Sequence, residues 1–287
     1  MNDQELADVL GATTVRREPW PYASSAPMEE LRVDGRLAGR RLLLKHLGPC
    51  CDNARPAPSD DPLRELKVYQ QVLAPRAIDA PICHAAVDAP PQGWLVLELV
   101  DGMPLWQVGD MAVWEAVAGW LARLHRSGPP PGDGVVRYDA ALLRRSFVKG
   151  SFPRAEQVGM MVSDHLASLP PTFIHGEFYP SNVLVSGSSS ARLICAVDWE
   201  TAGVGPGVLD IAALTAGAWS DADRDRIVRA YVDACLSGRG PQPRDIEHAR
   251  LLLAARWLGL RGRWSPPPQH ANDWEAEVGS LVGRLGL

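Results

Sequence analysis

At 287 residues, with 46% hydrophobic and 22% charged side chains, the sequence has the mix of a packed globular protein and is long enough for two lobes; a disordered or fibrous chain is excluded. Its formal net charge of −5 offers no basic footprint, so neither nucleic acid nor an anionic membrane surface is an expected partner. The opening Met1-Asn2-Asp3-Gln4-Glu5 lacks the basic and apolar regions of a secretory signal, and no stretch approaches the roughly 20 apolar residues of a membrane span, which predicts a cytoplasmic protein.

In chain order, residues 31–37 and 40–47 read as a hairpin about Ala38-Gly39, the second strand being apolar except for Lys45. A Pro- and Asp-rich loop at 52–62 leads to a helix over 63–74, where Leu63, Leu66, Val68, Tyr69, Val72 and Leu73 recur at near-helical spacing. Residues 94–100 form a strand that runs into Asp101-Gly102 and Pro104, and the composition shift there divides an N-terminal lobe, 1–100, from a C-terminal lobe, 101–287. A helix over 111–126 places Val113, Val117, Trp120, Leu121 and Leu124 on one face and stops at Ser127-Gly128-Pro129. Strands follow just before His175, at 183–185 and at 193–197, the last two joined as a hairpin through Ser186–Ser190. Helices are predicted at 208–218, 222–237 and 245–260, then a Pro266-Pro267-Pro268 break and a last short helix, with no internal repeat. The five cysteines, Cys50, Cys51, Cys83, Cys195 and Cys235, are odd in number and contain no C-x-x-C pair, so they read as reduced structural thiols.

Phosphoryl transfer needs a cation for phosphates, oxygen ligands for magnesium and a group that orients the acceptor hydroxyl. Lys45 is one of three lysines in a chain that otherwise uses arginine, and within Leu-Leu-Leu-Lys it needs a partner, for which Glu65 is the natural candidate. His175-Gly176-Glu177-Phe178-Tyr179-Pro180-Ser181-Asn182 carries the sharper signal. In the kinase signature H-x-D is followed by an asparagine five positions after the acid, and a metal-binding Asp follows the next strand hairpin. Glu177 to Asn182 has that spacing, and Asp198 closes the hairpin.

At these motifs the sequence resembles the aminoglycoside phosphotransferase and choline kinase-like family, the small-molecule relatives of protein kinases. The matching features run from about residue 20 to 215 and include Leu121-Ala122-Arg123-Leu124-His125 and Asp198-Trp199-Glu200. The resemblance implies an α+β, bilobal protein-kinase-like fold with a small β-rich N-lobe and a larger, mainly helical C-lobe. It implies ATP and Mg²⁺ as cofactors, with GTP left open, and a small hydroxylated acceptor. By the same resemblance Lys45 holds the α- and β-phosphates with Glu65 as its ion-pair partner, and Glu98 and Val100 offer backbone groups to adenine. Asn182 and Asp198 bind magnesium, His175 supports the loop, and Asp210 braces it. Ser24 and Ser25, in Tyr22–Pro27, occupy the phosphate-covering turn in place of a glycine-rich loop.

One departure bears on activity: Glu177 stands where the family has Asp, and its extra methylene moves the carboxylate by roughly 1 Å, a misplacement that can cost about 100-fold. Because the transition state is largely dissociative, a carboxylate that only orients the hydroxyl still serves, so an active enzyme is expected. The alternative is a pseudokinase, a nucleotide-binding module without turnover. A protein kinase is set aside, since the chain has neither the G-x-G-x-x-G loop nor an A-P-E segment. Beyond residue 243, Asp245, Glu247, Asp273, Glu275 and Glu277 face Arg244, Arg250, Arg256, Arg261, Arg263 and Arg284 in the sequence count. With no acidic excess, and Trp257, Trp264 and Trp274 nearby, a less cationic and partly apolar acceptor is expected rather than a polycation. Gly203-Val204-Gly205-Pro206-Gly207 does not fit the dinucleotide spacing and reads as a plain loop. The nucleophile elbow G-x-S-x-G is missing, Trp114 and Trp120 read as core, and His46, His84, His125, His165, His248 and His270 read as structural or exposed.

Overall fold

A capping box opens α1 (Asp3–Leu10): Asn2 Oδ1 accepts from the Glu5 N–H, and the Glu5 carboxylate accepts from the Asn2 N–H. The computed structural model describes residues 2–21, 27–48, 61–89, 92–130, 135–187, 193–235, 240–261 and 272–287. The chain divides into two compact units, Met1–Gly102 with Cys195–Glu200, and Met103–Ile194 with Thr201–Leu287.

The first unit is built on five antiparallel strands, β1 (Val15–Pro19), β2 (Met28–Val33), β3 (Leu42–Leu47), β4 (Cys83–Ala89) and β5 (Gln92–Glu98), in the order β1-β2-β3-β5-β4. Strand side chains alternate between faces, so Leu42 and Leu44 enter one core with Leu31, Val33, Val96 and, from α1, Leu6 and Leu10. Lys45 therefore leaves from the other face of the central strand, with Met28 and Leu95 as its cross-strand neighbours. The strand that pairs with β3 runs over Met28–Val33, so it starts and ends earlier than the expected 31–37. Asp34 accepts the N–H groups of Thr13 and Thr14, at 2.7 and 3.1 Å, which pulls residues 34–37 off the sheet, and Gly35–Leu37 becomes a 3-10 turn entered at φ 70°. The Thr13 hydroxyl, which also donates to Asp34, and those two N–H groups hold the Asp34 carboxyl well below the usual carboxylate range. The predicted helix at 63–74 is composite: α2 (Arg64–Val68), a π turn (Tyr69–Leu73) and α3 (Ala74–Arg76).

The second unit contains the short strands β6 (Met103–Pro104), β7 (Val136–Arg137), β8 (Pro171–Ile174) and β9 (Val183–Ser186), together with the first half of β10 (Leu193–Ala196) and all of β11 (Gly203–Pro206). Its helices are α4 (Met111–Arg126), α5 (Ala140–Arg144), α6 (Ala155–Ser168), α7 (Val208–Leu214), α8 (Asp221–Ala234), α9 (Pro243–Gly259) and α10 (Trp274–Leu285). Helix α4 packs on α8, and α9 packs on α6, α7 and α10. Trp114 and Trp120 are core residues as expected, Trp120 stacking on Phe178 with ring centroids 5.7 Å apart. Helix α7 is shorter than the expected 208–218: it ends at Leu214 with Thr215 as its cap, and Gly217 beyond it, at φ 103°, cannot continue a right-handed helix. No helix among the described residues is long and apolar enough to cross a membrane.

The reading of 203–207 as a plain loop needs correction. Residues Gly203–Pro206 form β11, parallel to β7 and antiparallel to β8. Its glycines serve close packing: a Cβ at Gly203 would lie 2.4 Å from the Val136 carbonyl oxygen, and one at Gly205 would lie 2.8 Å from Tyr138 Cβ. Gly203→Ala should therefore destabilise the protein by about 1–3 kcal/mol, as overpacking against backbone does. Gly279→Ala, on an exposed face of α10 with nothing within 4 Å of the new methyl, should stabilise it by about 0.4–1 kcal/mol. Urea unfolding of the two variants checks the opposite signs.

Candidate active site

Lys45 is 4% exposed on the central strand, and a bare ammonium could not stay charged there. Its Nζ lies 2.7 Å from Glu65 Oε2, supplied by α2, and 2.6 Å from Asp198 Oδ1, supplied by the returning segment Cys195–Glu200; Glu200 Oε2 stands 4.0 Å away. Burial alone would lower the lysine's pKa, but the Asp198, Glu65 and Glu200 carboxylates outweigh it and keep the ammonium charged. Burial pushes the Glu65 carboxyl up, with Lys45 opposing. Glu65 Oε1 also accepts the Trp199 N–H at 3.2 Å, so one side chain fixes both the lysine and the backbone beside Asp198. Asp198 itself adopts φ 65°, the left-handed region that Asp tolerates better than most residues. Arg64, next to Glu65, donates Nε to the Glu200 carbonyl at 2.6 Å.

Carboxylate oxygens of Glu65, Asp198 and Glu200 lie within 4.8 Å of one another. These are hard oxygen donors of the kind magnesium prefers, and three carboxylates against the Lys45 ammonium and the Arg64 guanidinium, 3.9 Å from Glu200, still leave a negative excess suited to a divalent ion. Glu200 is a residue that sequence reasoning noted only as part of a triplet. Glu98 closes β5 with its N–H donated to the Ile82 carbonyl at 2.8 Å, and Val100 follows two residues later. Ser24 and Ser25 lie outside the described residues.

In the second unit Asp210, fully buried on α7, holds the loop after β8. Its Oδ2 accepts the His175 N–H at 2.7 Å and its Oδ1 accepts the Gly176 N–H at 2.8 Å. His125 Nε2 sits 3.1 Å from Oδ2, while His125 Nδ1 is 2.8 Å from the Tyr231 hydroxyl. Gly176 has φ 84°, and a Cβ there would lie 2.4 Å from the Thr201 carbonyl oxygen and 2.6 Å from the Tyr138 hydroxyl. Tyr138 donates to that same Thr201 carbonyl at 2.6 Å, and burial keeps its phenol protonated by raising its pKa. His175 is wholly buried and its carbonyl accepts from the Thr201 hydroxyl, which makes it a support of the loop rather than an exposed group.

The loop then turns through Pro180–Asn182, where Asn182 Nδ2 donates to the Glu177 carbonyl at 3.0 Å. The Glu177 side chain is almost wholly buried, and its Oε1 lies 2.7 Å from Arg256 on α9. Trp257, the next residue of α9, donates Nε1 to the Tyr179 hydroxyl at 3.1 Å. Arg256, Tyr138 and Thr201 escaped the sequence reading. Arg256 was one of six arginines in a count of charges, and it meets Glu177 across 79 positions. A cavity of about 630 Å³ lies on the His125 and Tyr231 side of Asp210, lined also by Pro171, Gly207 and Cys235.

These two constellations, a buried lysine among carboxylates on a five-stranded antiparallel sheet and a braced loop in a helical unit, define a protein-kinase-like fold. The family model of the phosphotransferase enzyme family matches residues 31–273, and the chain belongs to that family. No curated protein matches by sequence. Among solved structures, the choline kinase LicA from Streptococcus pneumoniae is similar at 14% identity and a TM-score of 0.63, covering 98% of this chain and 97% of that one. Spectinomycin phosphotransferase, solved with ADP and spectinomycin, is similar at 13% identity and a TM-score of 0.54, covering 99% and 94%. Aminoglycoside 2'-phosphotransferase-IIIa, solved with GDP, has 16% identity and a TM-score of 0.57, covering 99% and 98%.

The lysine cluster makes a prediction about stability. Lys45→Met should cost about 3–5 kcal/mol, because it strands buried carboxylates without their cation. The double variant Lys45→Met with Glu65→Gln should cost clearly less than the sum of the two single changes, since the groups act as a unit. Chemical denaturation of the three variants measures both.

Proposed function

We propose that this phosphotransferase moves the γ-phosphoryl group of ATP to a hydroxyl of a small molecule in a magnesium-dependent reaction. The observation that carries the reading is the buried Lys45 ammonium held between Glu65 and Asp198. That arrangement has no packing advantage over apolar side chains, and it suits a group that must meet phosphate oxygens. Lys45 would grip the α- and β-phosphates, Asp198 and Asn182 would ligate magnesium, and Glu98 and Val100 would meet the adenine edge through their backbone. When bound, the metal neutralises charge on the phosphates. The acceptor oxygen forms the new P–O bond as the bond to the β-phosphate bridge breaks, and the hydroxyl proton leaves as that oxygen bonds. Glu177 would orient the hydroxyl and accept its proton. The products are ADP and a phosphate ester.

The acceptor is a hydroxylated compound of low positive charge. Every acidic residue counted beyond 243 is already engaged: Asp245 with His165, Glu247 with Arg284, Glu275 with Arg261, Glu277 with Arg250, and Asp273 as the cap of α10. A polycation would find little unspent carboxylate among them; Trp257 and Trp274, stacked with centroids 6.0 Å apart, are buried in the core and present no apolar surface to an acceptor.

The test is an acceptor screen with ATP and magnesium, reading phosphate addition by mass. A neutral or weakly charged alcohol should gain a phosphate, and Asp198→Ala should lower turnover by at least about 100-fold, the scale of a lost electrostatic group. Reaction with polycationic aminoglycosides alone would overturn the acceptor class. Nucleotide-dependent thermal stabilisation with no acceptor and no ADP release would favour the pseudokinase instead.

A further inference from the structure

Glutamate at position 177 is held in a way that aspartate could not match. Its backbone is pinned on both sides: the preceding Gly176 N–H is bound by Asp210 Oδ1, and the Glu177 carbonyl accepts from the Tyr179 N–H at 2.7 Å and from Asn182 Nδ2 at 3.0 Å. The backbone is therefore not free to advance and make up for a shorter side chain. On the other side, Arg256 projects from the last turn of α9, where Leu253, Ala254 and Ala255 are buried and Trp257 is tied to Tyr179 of the same loop. Two consecutive residues of α9 thus hold positions 177 and 179. A guanidinium with one face to solvent, its side chain 26% exposed, meets Glu177 Oε1 at 2.7 Å. That is the length of a charge-assisted hydrogen bond. Withdrawing the carboxylate by about 1 Å would open the contact beyond hydrogen-bonding range.

We infer that Arg256 is the positioning residue for the reacting carboxylate, and that this loop is built for glutamate, so that aspartate at 177 is the inferior acid here. The inference rests on the phosphotransfer reading above. Arg256 acts through Glu177 by fixing Oε1. The carboxylate is thereby held in one rotamer on a rigid loop, and the extra methylene stops being a source of misplacement.

The experiment uses the full chain as wild type, Glu177→Asp, Arg256→Gln, Arg256→Lys and the double variant Glu177→Asp with Arg256→Gln. Three readouts are taken: the thermal shift given by magnesium-ATP, acceptor-free ATP hydrolysis, and kcat and KM with an alcohol found by the screen. Glu177→Asp and Arg256→Gln should each lower kcat by about 10- to 100-fold, with the ATP thermal shift retained and KM for ATP within about twofold. The double variant should fall no more than about threefold below the worse single variant, because groups acting as one unit are not additive. Arg256→Lys should recover at least about threefold over glutamine by keeping the charge without the fork. Glu177→Asp turning over within about twofold of wild type, or losses that multiply in the double variant, would overturn the role of Arg256 while leaving phosphotransfer intact. A wild type that shifts with ATP yet neither hydrolyses nor transfers would sink the phosphotransfer reading itself, and the inference with it.

Discussion

A lysine with 4% of its surface in water must either shed its proton or be surrounded by negative charge, and the first unit is arranged so that Lys45 does the latter. Three separate stretches of sequence supply what it needs. The central strand sets its direction, the helix after the 52–62 segment supplies Glu65, and residues 195–200 supply Asp198 and Glu200. The return of that six-residue segment to the first unit, after some ninety residues spent in the second, follows from this electrostatic demand. The same groups leave a surplus of carboxylate, which is what a phosphate-bound divalent ion would use.

The second unit solves a related problem with one fully buried carboxylate. Asp210 accepts two successive backbone N–H groups and faces His125, and the imidazole is completed by Tyr231. A charged acceptor makes stronger hydrogen bonds than a neutral one, so the left-handed Gly176 can be held where any other residue would strike Thr201 and Tyr138. The loop is rigid because its supports come from α4, α7, α8 and α9 together.

Much of this was legible in the sequence where chemistry makes a residue conspicuous. Lys45 stands out in an apolar run, Glu177 and Asn182 stand out by spacing, and the fold class and the family follow from those motifs. The helix at 111–126 was legible to the residue, because its apolar face is regular and Ser127-Gly128-Pro129 ends it. What stayed hidden depends on the partner. Arg256 has no local signature, being one arginine on a helix whose function is set by what lies across from it. Tyr138 works as a strut against Thr201, a contact with no pattern of its own. Helix α6 carried a weak signal in Val158, Val162 and Leu166, at four-residue spacing, which polar neighbours diluted. In β11 the glycines that exclude a dinucleotide site are the ones that let two strands and Tyr138 approach, a use that only neighbours in space reveal.

The π turn at Tyr69–Leu73 has a consequence for how the first unit could change over time. A wide turn spends one residue more than an α turn, and a helix advances about 100° per residue. Leu73, eight residues after Glu65, consequently faces inward with it, where a regular helix would set the two about 80° apart. Loss of a single residue from that turn would leave a regular helix with Glu65 and Leu73 seven positions apart and still on one face, so the chain could shed a residue there without rotating either the acid or the apolar ridge. The bulge absorbs an extra residue while the glutamate and the apolar ridge keep their common side, so length is freer there than the identity of the glutamate.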